Sequence, residues 1–343
     1  MIKETISFRP KQVSKALLAS LPERAQDIMK RRYGLEEGEG ETLEAIGKRY
    51  GITRERVRQI EEFSLRAIRK SSAFSVTQEV FAELEASLHE YGGIVHEREF
   101  LNHLDKNLAV QNNLHFLLVL GDAFTRLKED DHFHHRWLVD ETLANRVHES
   151  LQQVTEALTD TDLLSERDMV LRLLVALKEP TGDSQLAEKA RRWLSISKRL
   201  GISPVGEWGL ATSPSVRVRG VRDYAFLVLR QQGSPMHFTE VAKAINTIFS
   251  RRANPATCHN ELIKDQRFVL VGRGIYALTE WGYAPGIVRD VIQNIIKEHG
   301  PLTEAEVLAR VLKERYVKPN TVLVNLKNPK FFKKDKEGKY IAG

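Results

Sequence analysis

The chain has 343 residues, of which 42% are hydrophobic, and a formal net charge of +6 at pH 7. This length exceeds that of one small module and predicts two to four domains. The single cysteine excludes a disulfide framework within the chain, and no apolar run approaches the roughly 20 residues of a membrane span. The opening segment holds no apolar stretch of signal-peptide length, so the expected compartment is the cytoplasm.

Near the N-terminus, the chain carries the pattern of a helix-turn-helix. Leu43, Ile46 and Tyr50 recur at the spacing of one helix face. Gly51 follows this helix at the point where two crossing helices need a tight turn. Thr53 is a suitable N-cap for the next helix. Two short helices joined at Gly51 are therefore predicted.

The second of these helices has one apolar and one polar face. Val57 and Ile60 face the core at helical spacing. The other side carries four polar residues, namely Arg54, Glu55, Arg58 and Gln59. In the DNA major groove, arginine can bond guanine bidentately, glutamine can bond adenine, and glutamate can accept from cytosine. The pattern predicts a DNA recognition helix.

Three ordered motifs, LPER, RYGL and TLEAIGKRYGITRERVRQIE, resemble region 4 of the sigma-70 family of bacterial transcription initiation factors. The resemblance implies binding to a −35-like promoter element and docking on the flap of RNA polymerase. It places Arg54, Glu55, Arg58 and Gln59 at base-contacting positions, and Arg56, Thr42 and Lys48 at DNA-backbone positions. It covers about a fifth of the chain, and no segment resembles the promoter-melting region 2. A sigma-like regulator is expected, not a factor that opens promoters unaided.

The middle of the chain predicts two further helical units. Ser71–Thr77 is small and polar and is predicted to be a joint. A helix from Gln78, a second turn and helix, a third helix and a hairpin ending at Trp137–Val139 follow the order of a winged helix. Beyond it, a helix capped at Ser165 and another over Arg191–Leu200 indicate a second unit, whose hairpin is hard to see.

The last third of the chain contains an internal duplication. GSPMHFTEVA and RFVLVGRGIYALTEWG, within Gly233–Gly282, resemble the HARE-type winged helix also present in the RNA polymerase delta subunit. GPLTEAEVLARVL and the hairpin KFFKKDKEGKYIAG repeat the same plan about one domain length later. The predicted recognition helices are Pro255–Lys264 and Pro319–Asn328.

Both predicted recognition helices expose side chains suited to DNA. In the third winged unit, predicted over residues 216–285, these are Thr257, His259, Asn260 and Lys264, with Arg273 at the wing tip. In the fourth they are Asn320, Thr321, Asn325 and Lys327, with Lys333, Lys334, Lys336 and Lys339 on the wing. Such residues suit phosphates or base edges. The alternative is that these winged helices bind protein.

The charge is strongly segmented. Residues 1–75 carry a net +5, residues 76–215 a net −9, and residues 216–343 a net +10. Basic ends are typical of nucleic-acid contact, whereas the acidic middle is expected to act as a spacer or to face a protein.

No constellation predicts catalysis or a cofactor. His132 and His134 would share one face of a strand, but without a further ligand at metal spacing they are expected to lie on a solvated wing strand. Cys258 has no base partner that would make it a nucleophile. The phosphate-loop, dinucleotide, zinc-protease and nucleophile-elbow motifs are absent from the sequence. We therefore expect no catalytic residues, no metal and no cofactor.

Together, these patterns predict a mainly α protein with small β-hairpin wings, built from tandem helix-turn-helix and winged-helix domains. The predicted domains are a sigma-like head at 1–75, winged-helix-like units at 76–143 and 144–215, a HARE-type unit at 216–285, and a C-terminal winged helix at 286–343.

The predicted function is DNA-binding transcription regulation at promoters, with double-stranded DNA and RNA polymerase as partners and a nucleoid-associated location. Two alternatives remain open. One is an RNA polymerase accessory or scaffold protein that never recognises a DNA sequence. The other is a DNA-recognition protein linked to restriction and modification, since HARE-type domains also occur beside nuclease modules.

Overall fold

The structure is a computed structural model that describes residues 6–36, 38–283 and 288–342. These residues form 17 α-helices and small antiparallel strand pairs. The prediction of a mainly α protein with short β elements is confirmed. The chain divides into two compact units, Met1–Gly201 and Ile202–Gly343. No helix among the described residues has both the length and the apolar character needed to cross a membrane.

The first unit is mostly helical. Its helices are α1 Pro10–Leu18, α2 Glu23–Tyr33, α3 Leu43–Tyr50, α4 Arg54–Arg69, α5 Ser72–Val76, α6 Gln78–Tyr91, α7 Glu97–Leu104, α8 Leu108–Leu120, α9 Glu141–Glu156, α10 Glu166–Leu177 and α11 Ser184–Leu194. Its sheet contains β1 Ile94–His96, β2 Thr125–Leu127 and β3 Arg136–Leu138. The central strand β3 is antiparallel to both β1 and β2, which gives a three-stranded antiparallel sheet.

The head, α1 to α4, shares one hydrophobic core with the helices and the sheet that follow it. Leu17 and Ile68 of the head lie in the same buried cluster as Leu84, Leu117 and Trp137. The apolar helix α8 packs directly on α1, α2 and α4. Burial of this kind stabilises by about 25 cal/mol per Å² of apolar surface, so α8 and the head support each other.

Polar groups of α8 fix its position against the head. The Asn113 amide donates to the carbonyl oxygen of Leu35 at 3.0 Å, and the Asn112 amide donates to that of Gly34 at 3.0 Å. Gly34 has a φ of 63°, and a Cβ there would lie 2.7 Å from the Asn112 amide nitrogen. From α4, Arg69 donates to the carbonyl oxygens of the last α8 residues. The close approach requires glycine at position 34.

Two sequence predictions for the first unit were wrong. The predicted joint Ser71–Thr77 contains the helix α5, because the Ser71 hydroxyl caps it and buried Phe74 belongs to the core. The predicted helix Arg191–Leu200 does not exist as such, because α11 ends at Leu194 and Leu200 belongs to a strand. The intervening residues are bonded elsewhere: the His134 amide donates to the Ile196 carbonyl oxygen at 3.0 Å.

A short strand pair follows α11 along the chain. Its strands are β4 Leu200–Ile202 and β5 Trp208–Leu210. This is the hairpin that the sequence hardly indicates, since each strand has only three residues.

The second unit contains the order helix, helix, helix, hairpin twice. Its elements are α12 Val221–Gln232, β6 Met236–His237, α13 Phe238–Phe249, α14 Pro255–Lys264, β7 Phe268–Gly272, β8 Ile275–Leu278, a 3₁₀ turn Thr279–Trp281, α15 Val288–His299, α16 Glu304–Glu314, α17 Pro319–Leu326, β9 Phe332–Lys334 and β10 Tyr340–Ala342. β8 lies between β6 and β7, whereas β9 pairs with β10 alone.

Local signals account for several element boundaries. Asn254 caps α14 by accepting from the Ala256 amide at 2.8 Å, and Pro255 starts the helix. Thr303 and Glu306 form a capping box at the start of α16. Gly274, with a φ of 70°, occupies the turn between β7 and β8. The hairpin turn predicted around Arg273 is confirmed.

Candidate nucleic-acid interface

The helix-turn-helix of α3 and α4 is held by a small core. Ile28, Ile46 and Val57 are fully buried against one another. Gly51 adopts a left-handed φ of 64° and ends α3. A Cβ on Gly47 would lie 2.7 Å from the Ile52 carbonyl oxygen, so the crossing of the two helices requires a residue without a side chain there. The turn thus fixes the direction in which α4 leaves α3.

The start of α4 is capped as predicted. The Thr53 hydroxyl accepts from the Arg56 amide at 3.2 Å. This bond satisfies one of the free backbone donors of the first helical turn. The remaining amides of that turn give the helix start a partial positive charge, which favours a phosphate nearby.

The polar face predicted for DNA recognition lies in solvent. Its members are Arg54, Glu55, Arg56, Arg58 and Gln59, all of which are exposed. Val57, on the other side of the same helical turn from Glu55 and Gln59, is fully buried. The structure therefore brings these five side chains together on one accessible surface of the size that a major groove accepts.

Without DNA, the polar side chains on this face bond to one another. Arg58 donates to Glu55 at 2.6 Å and also bonds Glu62. These hydrogen bonds from Arg58 lower the pKa of the Glu55 carboxyl below its usual value. Arg56 donates to Gln59 at 3.1 Å. Ion pairs in solvent are weak, so they position the side chains without preventing exchange for base edges.

The residues predicted to contact the DNA backbone, Thr42 and Lys48, lie beside this face. Thr42 caps α3, its hydroxyl accepting from the Ala45 amide at 3.2 Å. Lys48 is exposed and pairs with Glu44 at 3.1 Å. An open depression of about 540 Å³ along the turn is lined by side chains of both helices, including Lys48, Arg54 and Arg56. Three cations and one carboxylate, Glu44, line the depression, and this positive balance favours a phosphate backbone there.

In residues 216–285, the structure exposes some of the predicted DNA residues and partly buries another. Thr257 and Asn260 are exposed on α14, and Arg273 is exposed at the β7–β8 turn. His259 was expected to face a groove, but it is half-buried, with its ring packed against Phe238 and Tyr276. Aromatic packing draws this ring toward the sheet.

Residues 286–343 present polar side chains on α17 and cations just after it and on the β9–β10 hairpin. Asn320 and Thr321 are exposed in the first turn of α17, and Lys327 follows its end, 4.0 Å from Glu304. Lys334 lies on β9 with its ammonium 4.8 Å from the Tyr340 ring centroid. Asn325 was expected to be exposed; it is partly buried, and its amide donates to the Thr321 carbonyl oxygen.

The histidine segment differs from the prediction. His132 and His134 are half-buried in the loop before β3, not on a solvated strand, and Phe133 between them pairs with Ser197. His134 stacks on His96 with ring centroids 4.8 Å apart. Among the described residues, no group of three or more His, Cys, Asp or Glu side chains is placed to hold a metal ion.

Cys258 lies in the core of the third winged unit. It is fully buried, and burial raises the pKa of its thiol to about 11. Because only the thiolate is nucleophilic, the raised pKa keeps this side chain in its unreactive thiol form. The cysteine packs as a small apolar side chain.

Sequence reasoning missed the residues that hold the head in place, namely Asn112 and Asn113. Two adjacent asparagines inside the otherwise apolar α8 are a visible signal, since a buried amide needs partners. Their partners, carbonyl groups of Gly34 and Leu35, lie 78 residues away in the chain and cannot be deduced from local pattern.

Comparison with known proteins matches this same region. Residues 17–70 match the family model described as "Sigma-70, region 4". These residues form a sigma-70 region 4 domain. They end one residue after α4 and include the whole helix-turn-helix.

Three curated relatives are RNA polymerase sigma factors. The chain is 45% identical over 76 residues to SigA of Nostoc sp., covering 20% of each protein. It is 43% identical over 63 residues to SigA1 of Synechococcus elongatus, covering 18% of this chain and 16% of that protein. With SigA of a Bacillus species it shares 46% identity over 56 residues, 16% of this chain and 15% of that protein. The chain thus matches a fifth or less of the length of these relatives. The matched segment supports a DNA-binding, transcription-related role.

Proposed function

We propose that this protein is a transcription regulator that binds promoter DNA through α4 and acts there with RNA polymerase. The observation that carries the proposal is the exposed polar face of α4 within the sigma-70 region 4 domain. A helix of 16 residues with its polar face free can enter a major groove. The element it recognises would be −35-like, because the relatives that share this domain are sigma factors.

Base recognition would exchange partners along α4. Arg58, now bonded to Glu55 and Glu62, would turn its guanidinium to a guanine edge. Glu55 would then be free to accept from a cytosine amino group, while Arg56 and Lys48 would bind phosphates. Breaking the exposed ion pairs costs little, so the base contacts decide the preferred sequence.

The winged helices of the second unit would add sequence-independent affinity. Exposed Asn320 and Lys334 suit phosphate oxygens, and Thr257 and Asn260 form a second set. The helix, strand, helix, helix, hairpin order of α12 to β8 supports the HARE-type interpretation of this part. Docking on the polymerase flap is part of the proposal and rests on the region 4 domain.

The test is a pull-down of the tagged full-length protein with RNA polymerase from its native cells, followed by sequencing of the co-purified DNA. The proposal predicts recovery of polymerase and enrichment of promoter fragments that share one motif. A variant with Arg54, Arg58 and Gln59 all changed to alanine should keep polymerase and lose the motif.

Other results would support the alternatives. Polymerase recovered with DNA of no common sequence would indicate an accessory or scaffold protein. A motif enriched outside promoters, without polymerase, would indicate a DNA-recognition protein of another system.

A further inference from the structure

The second unit contains a groove between its two winged helices. The end of β7 and the β7–β8 turn form one wall, and the connection from α16 to α17 forms the other. The Arg315 guanidinium joins the walls by donating to the Leu270 carbonyl oxygen at 2.6 Å. A Cβ on Gly272 would lie 3.3 Å from the Tyr316 carbonyl oxygen, so the two walls approach closely there. The cavity they enclose measures about 700 Å³.

The lining of this groove is mainly apolar and partly open to solvent. Leu270 and Tyr316 both line the groove, and they are 45% and 56% exposed. Val317 and Pro319 continue the same surface. Exposed large apolar side chains that converge on a concave surface mark a binding site more often than isolated ones do.

The charged groups of the groove all have the same sign. Arg273, Arg315 and Lys318 line it, and no carboxylate stands among the described residues that do so. Arg273 and Lys318 are exposed, whereas Arg315 is only 3% exposed. Two exposed cations beside an apolar lining favour an occupant that carries both carboxylates and apolar side chains.

We propose that this groove binds an acidic peptide segment of a partner protein, with leucine or phenylalanine side chains between its carboxylates. Tyr316 and Leu270 would pack against the apolar side chains, while Arg273 and Lys318 would bond the carboxylates. Duplex DNA offers phosphates but no side chain to fill an apolar cavity, so the lining favours a peptide. This inference does not depend on the proposed function of α4.

The probe is a fluorescein-labelled 12-residue peptide that alternates Asp or Glu with Leu and Phe, titrated with the full chain and followed by anisotropy. Two control peptides replace the carboxylates by amides, or Leu and Phe by serine. Both should bind at least tenfold more weakly than the probe, because each lacks one of the two features that the groove complements.

Matched variants locate the site. Arg273→Glu with Lys318→Glu, and separately Tyr316→Ser, should each weaken probe binding at least tenfold. These side chains are exposed, so the fold should survive, which circular dichroism checks. Ile263→Ser is the control, since Ile263 is 61% exposed on α14 and does not line the groove; it should leave probe binding unchanged.

The outcomes separate the peptide site from a DNA surface. Probe binding that both groove variants weaken, and Ile263→Ser does not, supports the proposal. No saturable binding of the probe overturns it. Equal loss of probe binding in the control variant, or groove variants that weaken only the binding of a 20-base-pair duplex, would overturn it in favour of a non-specific or DNA-contacting surface.

Discussion

At the residue scale, Arg58 shows how a recognition side chain can be positioned before its target arrives. It lies between Glu55 and Glu62, three and four residues away on one helix face. The bonds hold the guanidinium over the face that would meet DNA. They are solvent-exposed, so screening keeps them weak, and a guanine edge can replace them.

Another residue, His148, makes stability depend on pH. It accepts a hydrogen bond from the nearly buried Arg136 at 2.8 Å, and burial lowers its pKa to about 4. The unfolded value is about 6.5, so the unfolded chain binds more protons between these values. The stabilisation is present above pH 6.5 and is lost as the pH falls toward 4.

Urea unfolding at pH 7 and pH 5 tests this expectation. Between pH 7 and pH 5, the free energy of unfolding should fall by about 2 kcal/mol because of His148. The figure follows from about 1.36 kcal/mol per pH unit below the unfolded pKa of about 6.5. His148→Gln keeps an acceptor for Arg136 and does not titrate, so it should lose less stability over the same interval. An identical loss in both proteins would show that His148 does not titrate as described.

At the element scale, α8 belongs to the head as much as to the winged helix that contains it. Its side chains share the buried cluster of α1 and α4, and its asparagines bond the chain after α2. The helix-turn-helix therefore depends on a helix about 50 residues further along the chain.

Leu117→Ala tests this dependence, because Leu117 is fully buried in α8. A leucine-to-alanine change in a core costs about 2–5 kcal/mol. We expect urea unfolding of the variant to shift by this amount, with DNA binding lost at the same denaturant concentration as helicity. Val175→Ala is the control, since Val175 is 65% exposed on α10. DNA binding that persists after the winged helix has unfolded would contradict the shared core.

The elements that the sequence predicted well carry their signals locally. Asn254 and Pro255 mark the start of α14, and Thr53 marks that of α4. The wrong predictions depended on distant partners. The segment after Leu194 bonds to the His134 loop, about 60 residues earlier, and Phe74 turns a polar stretch into a core helix. The groove beside Tyr316 likewise needs Arg315 to reach Leu270, 45 residues away. The exposed face of α4 was predictable, because a helix face follows from spacing alone.

At the scale of the whole molecule, the basic ends of the chain predict a steep salt dependence of DNA binding. Residues 216–343 carry a net charge of +10, and several of their lysines lie on the wing of the fourth winged unit. Each phosphate that a protein cation neutralises contributes about −0.9 to the slope of log K against log salt. The wing is therefore expected to contribute to affinity more than to sequence preference.

The double change Lys333→Ala and Lys334→Ala tests the role of the wing in the full chain. The slope should become less steep by about 0.9 for each phosphate that the variant no longer neutralises, with equal weakening on every duplex sequence. Lys313→Ala, an exposed lysine on α16, should leave the slope unchanged. A slope unaltered by the double change would exclude the wing from the DNA interface and favour a protein-binding role for it.

The most direct test of the central claim compares Arg58→Ala with the unaltered protein on a duplex selected from random sequence and on its scrambled version. We predict that the change weakens binding to the selected duplex by about 1–3 kcal/mol and leaves binding to the scrambled one nearly unaltered. Arg66→Ala, about two turns further along α4 and also exposed, should not alter the preference. If the unaltered protein binds both duplexes equally, or Arg58→Ala weakens both alike, α4 does not recognise DNA sequence.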